Sequence, residues 1–163
     1  MEEIWIKIND YENYSISNYG NIRNDKTGNI LKGKISMYGY IEIHLDKNKI
    51  RKYYRLHRLI AIHFIPNPNN KSEIDHIDGN KNNNHISNLR WSTRSENSRN
   101  RGICKLNTSS IKGVSFDKRC NKWRVAICQT YLGRFNTLEE AQEIRQKAAQ
   151  EIFGEFVNDC EKV

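Results

Sequence analysis

The segment that decides the fold reads DHIDGNKNNN and spans residues 75–84. After its first residues it is too polar for a protein core, which predicts a strand that runs into a long asparagine-rich loop. The next segment, NLRW at residues 88–91, predicts a second strand. Residues 92–97 then offer a Ser or Thr N-cap with a glutamate in the first turn of a helix. The sequence therefore predicts a strand, a loop, a second strand and a helix.

Four polar residues in and after this segment form a candidate reactive cluster: Asp75, His76, Asn88 and Asn97. Hydrolysis of a phosphodiester requires a base that deprotonates water, and a histidine with a pKa near neutrality suits that task. It also requires a hard cation, and Mg²⁺ commonly takes only one or two oxygen ligands from the protein. Neighbouring residues on a strand point to opposite sides, so His76 and Asp75 can divide these tasks. Taken alone, an adjacent Asp-His pair is most often an ordinary surface pair.

The residues before this cluster predict small antiparallel sheets and one helix. Residues 1–55 alternate short β-type runs with polar turns. Residues 56–65 change to a helical period, and Pro66 and Pro68 end that helix. Because His57 and His63 lie on this helix beside apolar residues, we expect them to pack or to support other groups.

The last third of the chain predicts a separate small domain. Three runs with strand character occupy residues 113–116, 123–127 and 131–135, and a capping box opens at Thr137. The helix that follows has a predicted apolar face made of Leu138, Ala141, Ile144, Ala148 and Ile152. The predicted fold class is α+β, with antiparallel N-terminal strands and a ββα core, linked to a three-stranded sheet packed on one helix.

The central residues resemble the HNH endonucleases, also called His-Me finger or ββα-metal nucleases, and are most similar to the phage intron-encoded homing type. Residues 56–64 (LHRLIAIHF), 75–83 (DHIDGNKNN), 88–91 (NLRW) and Asn97 carry the resemblance. It implies that His76 is the general base and that Asp75 and Asn97 are metal ligands. It further implies that Asn88 holds the hairpin and the orientation of the histidine. Two oxygen ligands favour Mg²⁺ or Mn²⁺ over Zn²⁺.

Both flanking regions carry further resemblances. Residues 3–5, 11–14, 17–20 and 22–23 are similar to the modular motif (NUMOD type) that precedes the HNH core in these nucleases. Residues 112–156 resemble the Apetala-two/ethylene-response-factor (ERF) DNA-binding domain, but several residues usual in its sheet are replaced, so its target sequence does not transfer. The predicted domains are 1–55 for the N-terminal motif, 56–100 for the nuclease core, 101–111 for a linker and 112–157 for the Apetala-two/ERF-like domain.

The charge of the chain indicates a polyanionic partner. Lys and Arg number 27 against 19 Asp and Glu, for a formal net charge of +8, and residues 98–128 hold eight basic residues and one acidic residue. A basic sheet can lie in the major groove of duplex DNA. The residues that we predict to contact DNA are Arg90, Lys112, Ser115, Lys118, Arg119, Lys122, Arg124 and Tyr131. A basic sheet that meets only solvent is the alternative.

The sequence lacks the marks of several other classes. It has neither a run of about 18 apolar residues nor a signal-peptide pattern, so we expect no membrane association and a location in the cytoplasm of a phage or bacterial host cell. None of the four cysteines has the C-x-x-C spacing of zinc or redox motifs, so we expect free thiols. We expect no obligate protein partner and a monomer.

These observations predict a metal-dependent DNA endonuclease of the homing type, which uses Mg²⁺ or Mn²⁺ and nicks double-stranded DNA. One alternative is a non-catalytic DNA-binding regulator that uses the HNH fold as a scaffold. Another is a nuclease that acts on structured RNA. An intact set of Asp, His and two Asn residues favours the nuclease.

Overall fold

Two small antiparallel sheets form the N-terminal part of the chain in the computed structural model, which describes residues 2–162. The first contains β1 (Trp5–Ile8), β2 (Tyr11–Ser17) and β3 (Ile22–Asn24), and the second contains β4 (Lys34–Ile35), β5 (Ile41–Lys47) and β6 (Ile50–Arg55). Asn48 and Lys49, the two residues between β5 and β6, both have positive φ, as a two-residue hairpin turn of type I′ requires. The predicted strand-rich region is confirmed.

Helix α1 (Leu56–Phe64) packs against the second sheet and completes the core of this region. Its buried apolar residues recur at helical spacing: Leu56, Leu59, Ile60 and Ala61. They join Ile16 and Leu45 of the sheets, which are fully buried, in one apolar cluster. The helix ends at Phe64 because Pro66 and Pro68 cannot continue it, so the predicted helix over residues 56–65 is confirmed.

The predicted hairpin follows α1. Strands β7 (Glu73–His76) and β8 (Leu89–Ser92) pair in antiparallel register, with Asp75 opposite Arg90 and His76 opposite Leu89. The loop between them covers residues 77–88 and ends in a single 3₁₀ turn, and helix α2 (Arg94–Arg99) follows β8. The predicted order of strand, long loop, strand and helix is therefore confirmed.

The chain divides into two compact units between Arg94 and Ser95. The second unit holds a three-stranded antiparallel sheet with β10 (Lys122–Ile127) between β9 (Val114–Asp117) and β11 (Thr130–Phe135). Helix α3 (Leu138–Phe153) packs on one face of this sheet, above the buried Val125 and Ile127. The Thr137 hydroxyl accepts a hydrogen bond from the Glu140 backbone N–H at 3.2 Å, so the predicted N-terminus of α3 is confirmed.

Helix α3 buries a different face from the predicted one. Ile144 is 37% exposed and Ile152 is 47% exposed, so the predicted apolar face is wrong at both positions. The buried residues form a row with a spacing of four: Ala141, Arg145, Ala149 and Phe153. Alanines in this row let the helix approach the sheet closely. Arg145 is tolerated there because the Glu161 carboxylate lies 2.6 Å from its guanidinium.

The predicted α+β class, with several small antiparallel sheets and short helices, is confirmed. Over residues 2–162, no helix is long and apolar enough to cross a membrane. The four cysteines are free and exposed.

Candidate functional site

Asp75 and His76 lie at the end of β7, and both side chains are buried, at 4% and 5% exposure. A charged carboxylate at such a position requires a partner. The partner comes from the neighbouring strand: the Arg90 guanidinium donates hydrogen bonds from Nε and Nη2 to Oδ2 of Asp75, at 2.9 and 2.7 Å. Arg90 was predicted to contact DNA, and the structure shows that it contacts the predicted metal ligand.

The His76 imidazole lies in a pocket of aromatic and amide groups. Its Nε2 is 3.1 Å from Oδ1 of Asn84, its ring centre is 5.1 Å from that of His57, and the Tyr40 ring centre is 6.1 Å away. Burial lowers the pKa of His76 below its usual range, and the hydrogen bond with Asn84 opposes this effect only in part. The imidazole is therefore neutral near pH 7 and chemically able to accept a proton.

His57 on α1 forms one wall of this pocket. Burial and the neighbouring His76 lower the pKa of His57 to about 3, and its Nδ1 is buried without a hydrogen-bond partner. Its ring packs against Tyr40 at 4.9 Å between centres. His57 is therefore a neutral packing group beside His76, in agreement with the expectation from the sequence. His63, by contrast, accepts a hydrogen bond from the Asn9 backbone N–H through Nε2, at 3.0 Å.

Asn88 braces the loop that connects β7 and β8. Its Oδ1 accepts a hydrogen bond from the Asp78 N–H at 3.0 Å, and its Nδ2 donates to Oδ1 of Asp78 and to the Asn83 carbonyl, at 2.9 and 2.8 Å. These contacts agree with a role in holding the hairpin. A different asparagine, Asn84, is hydrogen-bonded to the His76 imidazole, and no pattern in the sequence singles it out. Nothing local distinguishes Asn84 from the other asparagines of the loop.

The oxygen donors predicted to hold a metal ion come from both sides of the boundary between the two units. Asp75 belongs to the first unit, and Asn97 lies on α2 in the second unit, so its role as a ligand stays a prediction. Within residues 2–162, no three His, Cys, Asp or Glu side chains form a group that could hold a metal. A single buried carboxylate assisted by amide oxygen is a donor set that fits Mg²⁺ or Mn²⁺, which take their remaining ligands from water and phosphate.

The second unit presents a basic outer sheet face. The strand register places Arg124 of β10 between Ser115 of β9 and Arg134 of β11. It also places Ala126 opposite Tyr131, and Lys122 opposite Asp117. Directly opposed residues share a face, so four predicted DNA contacts lie together and exposed: Ser115, Lys122, Arg124 and Tyr131. Lys118 and Arg119 are exposed in the turn between β9 and β10.

Arg134 also belongs to this outer sheet face, although it was not among the predicted DNA contacts. Its guanidinium lies 5.8 Å from the Tyr131 ring centre and 3.0 Å from the Asp117 carboxylate. Simple alternation from Tyr131 would turn residue 134 inward. The β10–β11 pairing is irregular between Val125 and Ala126, where one extra residue in β11 shifts the alternation.

Lys112 does not belong to the outer sheet face. Its ammonium group lies 2.8 Å from the Glu161 carboxylate, which Arg145 also contacts, and its side chain is only 20% exposed. Lys112 is therefore engaged in an ion pair within the second unit and lies apart from the outer sheet face.

Two segments of the chain match known families. Residues 54–99 match the HNH endonuclease family, and residues 3–57 match the NUMOD4 motif. The chain belongs to the HNH endonuclease family. The match covers the whole ββα segment, so the HNH core of this chain comprises α1, both hairpin strands and α2.

The relatives of this chain include proteins of viruses. An uncharacterized HNH endonuclease of Acanthamoeba polyphaga mimivirus is 38% identical over 137 residues, which are 84% of this chain and 39% of that protein. DNA endonuclease I-HmuI of Bacillus phage SP01 is 40% identical over 115 residues, 68% of this chain and 65% of that protein. Protein 3.8 of Escherichia phage T7 is 36% identical over 86 residues, 51% of this chain and 71% of that protein.

The HNH fold is also found in a solved structure. The structure of the HNH homing endonuclease I-HmuI, described as showing DNA binding and cleavage, superposes with a TM-score of 0.55 and 42% identity, over 61% of this chain and 57% of that one. The chain thus spans 39% of the length of the mimivirus relative and 65% of the length of I-HmuI. The likeness extends to the fold as well as to the sequence of the HNH core.

Proposed function

We propose that this protein is a metal-dependent DNA endonuclease of the homing type that nicks duplex DNA. The observation that carries the proposal is the arrangement at the end of β7, where a buried, neutral His76 follows a buried carboxylate, Asp75, in an HNH core. A neutral imidazole accepts a proton from water, and a carboxylate binds a hard cation. The relative I-HmuI is a DNA endonuclease by name.

In the proposed reaction, His76 accepts a proton from the water that attacks the phosphorus atom of the scissile phosphodiester. Asp75 and Asn97 would hold Mg²⁺ or Mn²⁺, which supplies positive charge for the pentacovalent phosphate and the departing 3′ oxygen. Asn88 keeps the loop after β7 in shape through Asp78. His57 places no second positive charge beside the base, because it is neutral near pH 7.

The outer sheet face of the second unit would bind the DNA duplex. Lys122, Arg124 and Arg134 supply positive charge there, and Tyr131 supplies an exposed ring. Such residues provide affinity through phosphates and selectivity through base edges. One HNH core in a monomer cuts one strand for each binding event, so the proposed product is a nick. We place this activity in the cytoplasm of a host cell.

A plasmid relaxation assay tests the proposal. The purified protein is incubated with supercoiled DNA that contains the sequences flanking its gene, with Mg²⁺, with Mn²⁺ or with EDTA, beside a His76→Ala variant. Conversion to open circles that requires both the metal and His76 is the expected result. Tight binding in a gel shift with no metal-dependent cutting of that DNA would instead support the non-catalytic regulator, and cutting of structured RNA alone would support the RNA nuclease.

A further inference from the structure

The contact between His76 and Asn84 joins one ring nitrogen of the histidine to the amide oxygen of the asparagine. Asn84 is 5% exposed, and its Oδ1 lies 3.1 Å from Nε2 of His76. The other end of the same amide, Nδ2, donates a hydrogen bond to the Asn82 carbonyl at 3.3 Å. A carbonyl only accepts hydrogen bonds. The amide nitrogen is therefore fixed at Asn82, and the oxygen faces the imidazole.

This orientation determines which nitrogen of His76 carries hydrogen. An amide oxygen cannot donate, so Nε2 of His76 must be the donor in the contact with Asn84. In a neutral imidazole the other nitrogen, Nδ1, then carries the lone pair. We propose that Asn84 is a positioning residue for His76, which holds the imidazole in the Nε2–H tautomer so that Nδ1 is the proton-accepting atom. This inference rests on the proposed function only where it concerns DNA cutting.

The first sheet keeps Asn84 in place. The Ile86 N–H donates a hydrogen bond to the Asn18 carbonyl at 2.9 Å, and the His85 ring packs on Tyr19 at 4.9 Å between centres. Gly20 lies directly against Asn84: a Cβ atom at residue 20 would come within 3.1 Å of the Asn84 carbonyl oxygen. Gly20 also has a φ of +91°, which favours glycine. The turn between β2 and β3 thus supports the residue that contacts the base.

The tautomer can be measured directly. Two-dimensional ¹⁵N–¹H NMR of the full-length protein, at a pH where His76 is neutral, distinguishes a protonated ring nitrogen from one with a lone pair. We expect Nε2–H in the wild-type protein, the same in Asn84→Asp, and a mixture or the Nδ1–H form in Asn84→Ala. An Nδ1–H tautomer in the wild-type protein would overturn the proposal. This measurement needs no DNA, so it remains decisive even if the protein cuts none.

Cleavage kinetics give a second test. For Asn84→Ala we expect kcat for nicking to fall by about 10- to 100-fold, because proton transfer to a misplaced base is slow, whereas KM for the DNA stays within about twofold. Asn84→Asp keeps an acceptor oxygen and should recover much of the rate. Asn69→Ala, in the exposed turn after α1, is the control and should cut as the wild type does. A folded Asn84→Ala variant with wild-type kcat would contradict the proposal, whereas a wild type without activity on any DNA would contradict the proposed function instead.

Discussion

Arg90 and Asp75 stand directly opposite one another on β8 and β7, and the guanidinium donates two hydrogen bonds to a single carboxylate oxygen, at 2.9 and 2.7 Å. The two side chains are 15% and 4% exposed. A buried ion pair of this kind is costly to break, because the remaining charge cannot return to water. The stability of the hairpin is thus coupled to the carboxylate that we propose as a metal ligand.

Replacing Arg90 by alanine should destabilise the first unit by about 3 kcal/mol, since it leaves the Asp75 carboxylate buried without its counter-ion. Urea unfolding followed by Trp fluorescence measures this loss. Arg51→Ala is the matched control, because the Arg51–Asp46 pair lies in solvent on the hairpin of β5 and β6. A similar loss in both variants would show that burial of the Asp75–Arg90 pair is unimportant.

Arg90 should also compete with a metal ion for Asp75. A guanidinium bound to a carboxylate reduces the attraction of that carboxylate for a cation. We therefore expect Arg90→Gln to bind Mn²⁺ more tightly than the wild type in the absence of DNA, by on the order of 10-fold. Electron paramagnetic resonance of Mn²⁺ titrations measures the affinity. The double variant Asp75→Asn, Arg90→Gln should lose this gain, and equal affinities in all three proteins would argue against Asp75 as a ligand.

The stability of the first unit should fall in mild acid because of His57. Burial and the neighbouring His76 lower the pKa of this imidazole to about 3 in the folded protein, against an ordinary value of 6.5 for a solvated histidine. The unfolded chain therefore binds a proton that the folded protein does not, and stability present above pH 6.5 is lost as the pH falls toward 3. This one group contributes at most about 1.4 kcal/mol per pH unit.

His57→Phe tests this effect, because Phe keeps a ring against Tyr40 and cannot be protonated. The slope of unfolding free energy against pH should be shallower for the variant below neutrality and equal to that of the wild type above it. Denaturant unfolding at a series of pH values gives both slopes. Identical slopes throughout would mean that His57 titrates equally in the folded and unfolded states.

Glu161 should be essential for the stability of the second unit. Its carboxylate is 2% exposed and lies 2.6 Å from Arg145 and 2.8 Å from Lys112. Burial lowers the pKa of Arg145, whereas the charge of Glu161 opposes that effect. Glu161→Gln should therefore destabilise the unit by about 3 kcal/mol, because Arg145 would stay charged and buried.

A double variant distinguishes the contribution of the Arg145–Glu161 ion pair from that of the buried side-chain volume at this site. Arg145→Met combined with Glu161→Leu removes both charges and should recover much of the stability lost in Glu161→Gln. Thermal unfolding of the three proteins measures the difference. A double variant that is less stable than the single one would show that the ion pair itself is strongly favourable.

DNA affinity should depend on the turn and outer sheet face of the second unit. The triple variant Lys118→Ala, Arg119→Ala, Arg124→Ala should bind duplex DNA more weakly, with a slope of log K against log salt shallower by about 2 to 3 if each residue meets one phosphate. Fluorescence anisotropy at several salt concentrations measures the slope. Lys147→Ala, on the exposed part of α3, is the control and should leave the slope unchanged.

The sequence by itself determined the local elements. Period-two runs and Asn- or Gly-containing turns predicted the sheets, the spacing of Leu56, Leu59 and Ile60 predicted α1, and the segment at 75–91 predicted the hairpin with its Asp-His pair. These features depend on interactions between residues close together in the chain, so a pattern in the sequence is enough to reveal them.

The tertiary structure alone decided which side chains meet. The contact of Asn84 with His76, the pairing of Arg90 with Asp75 and that of Lys112 with Glu161 depend on strand register, loop path and helix rotation. A one-residue irregularity in β11 turned Arg134 outward, and a rotated helix exposed Ile144 and Ile152. Such contacts join residues that are up to 49 positions apart. They are settled by the packing of the whole unit and by the need to pair every buried charge, which no local pattern encodes.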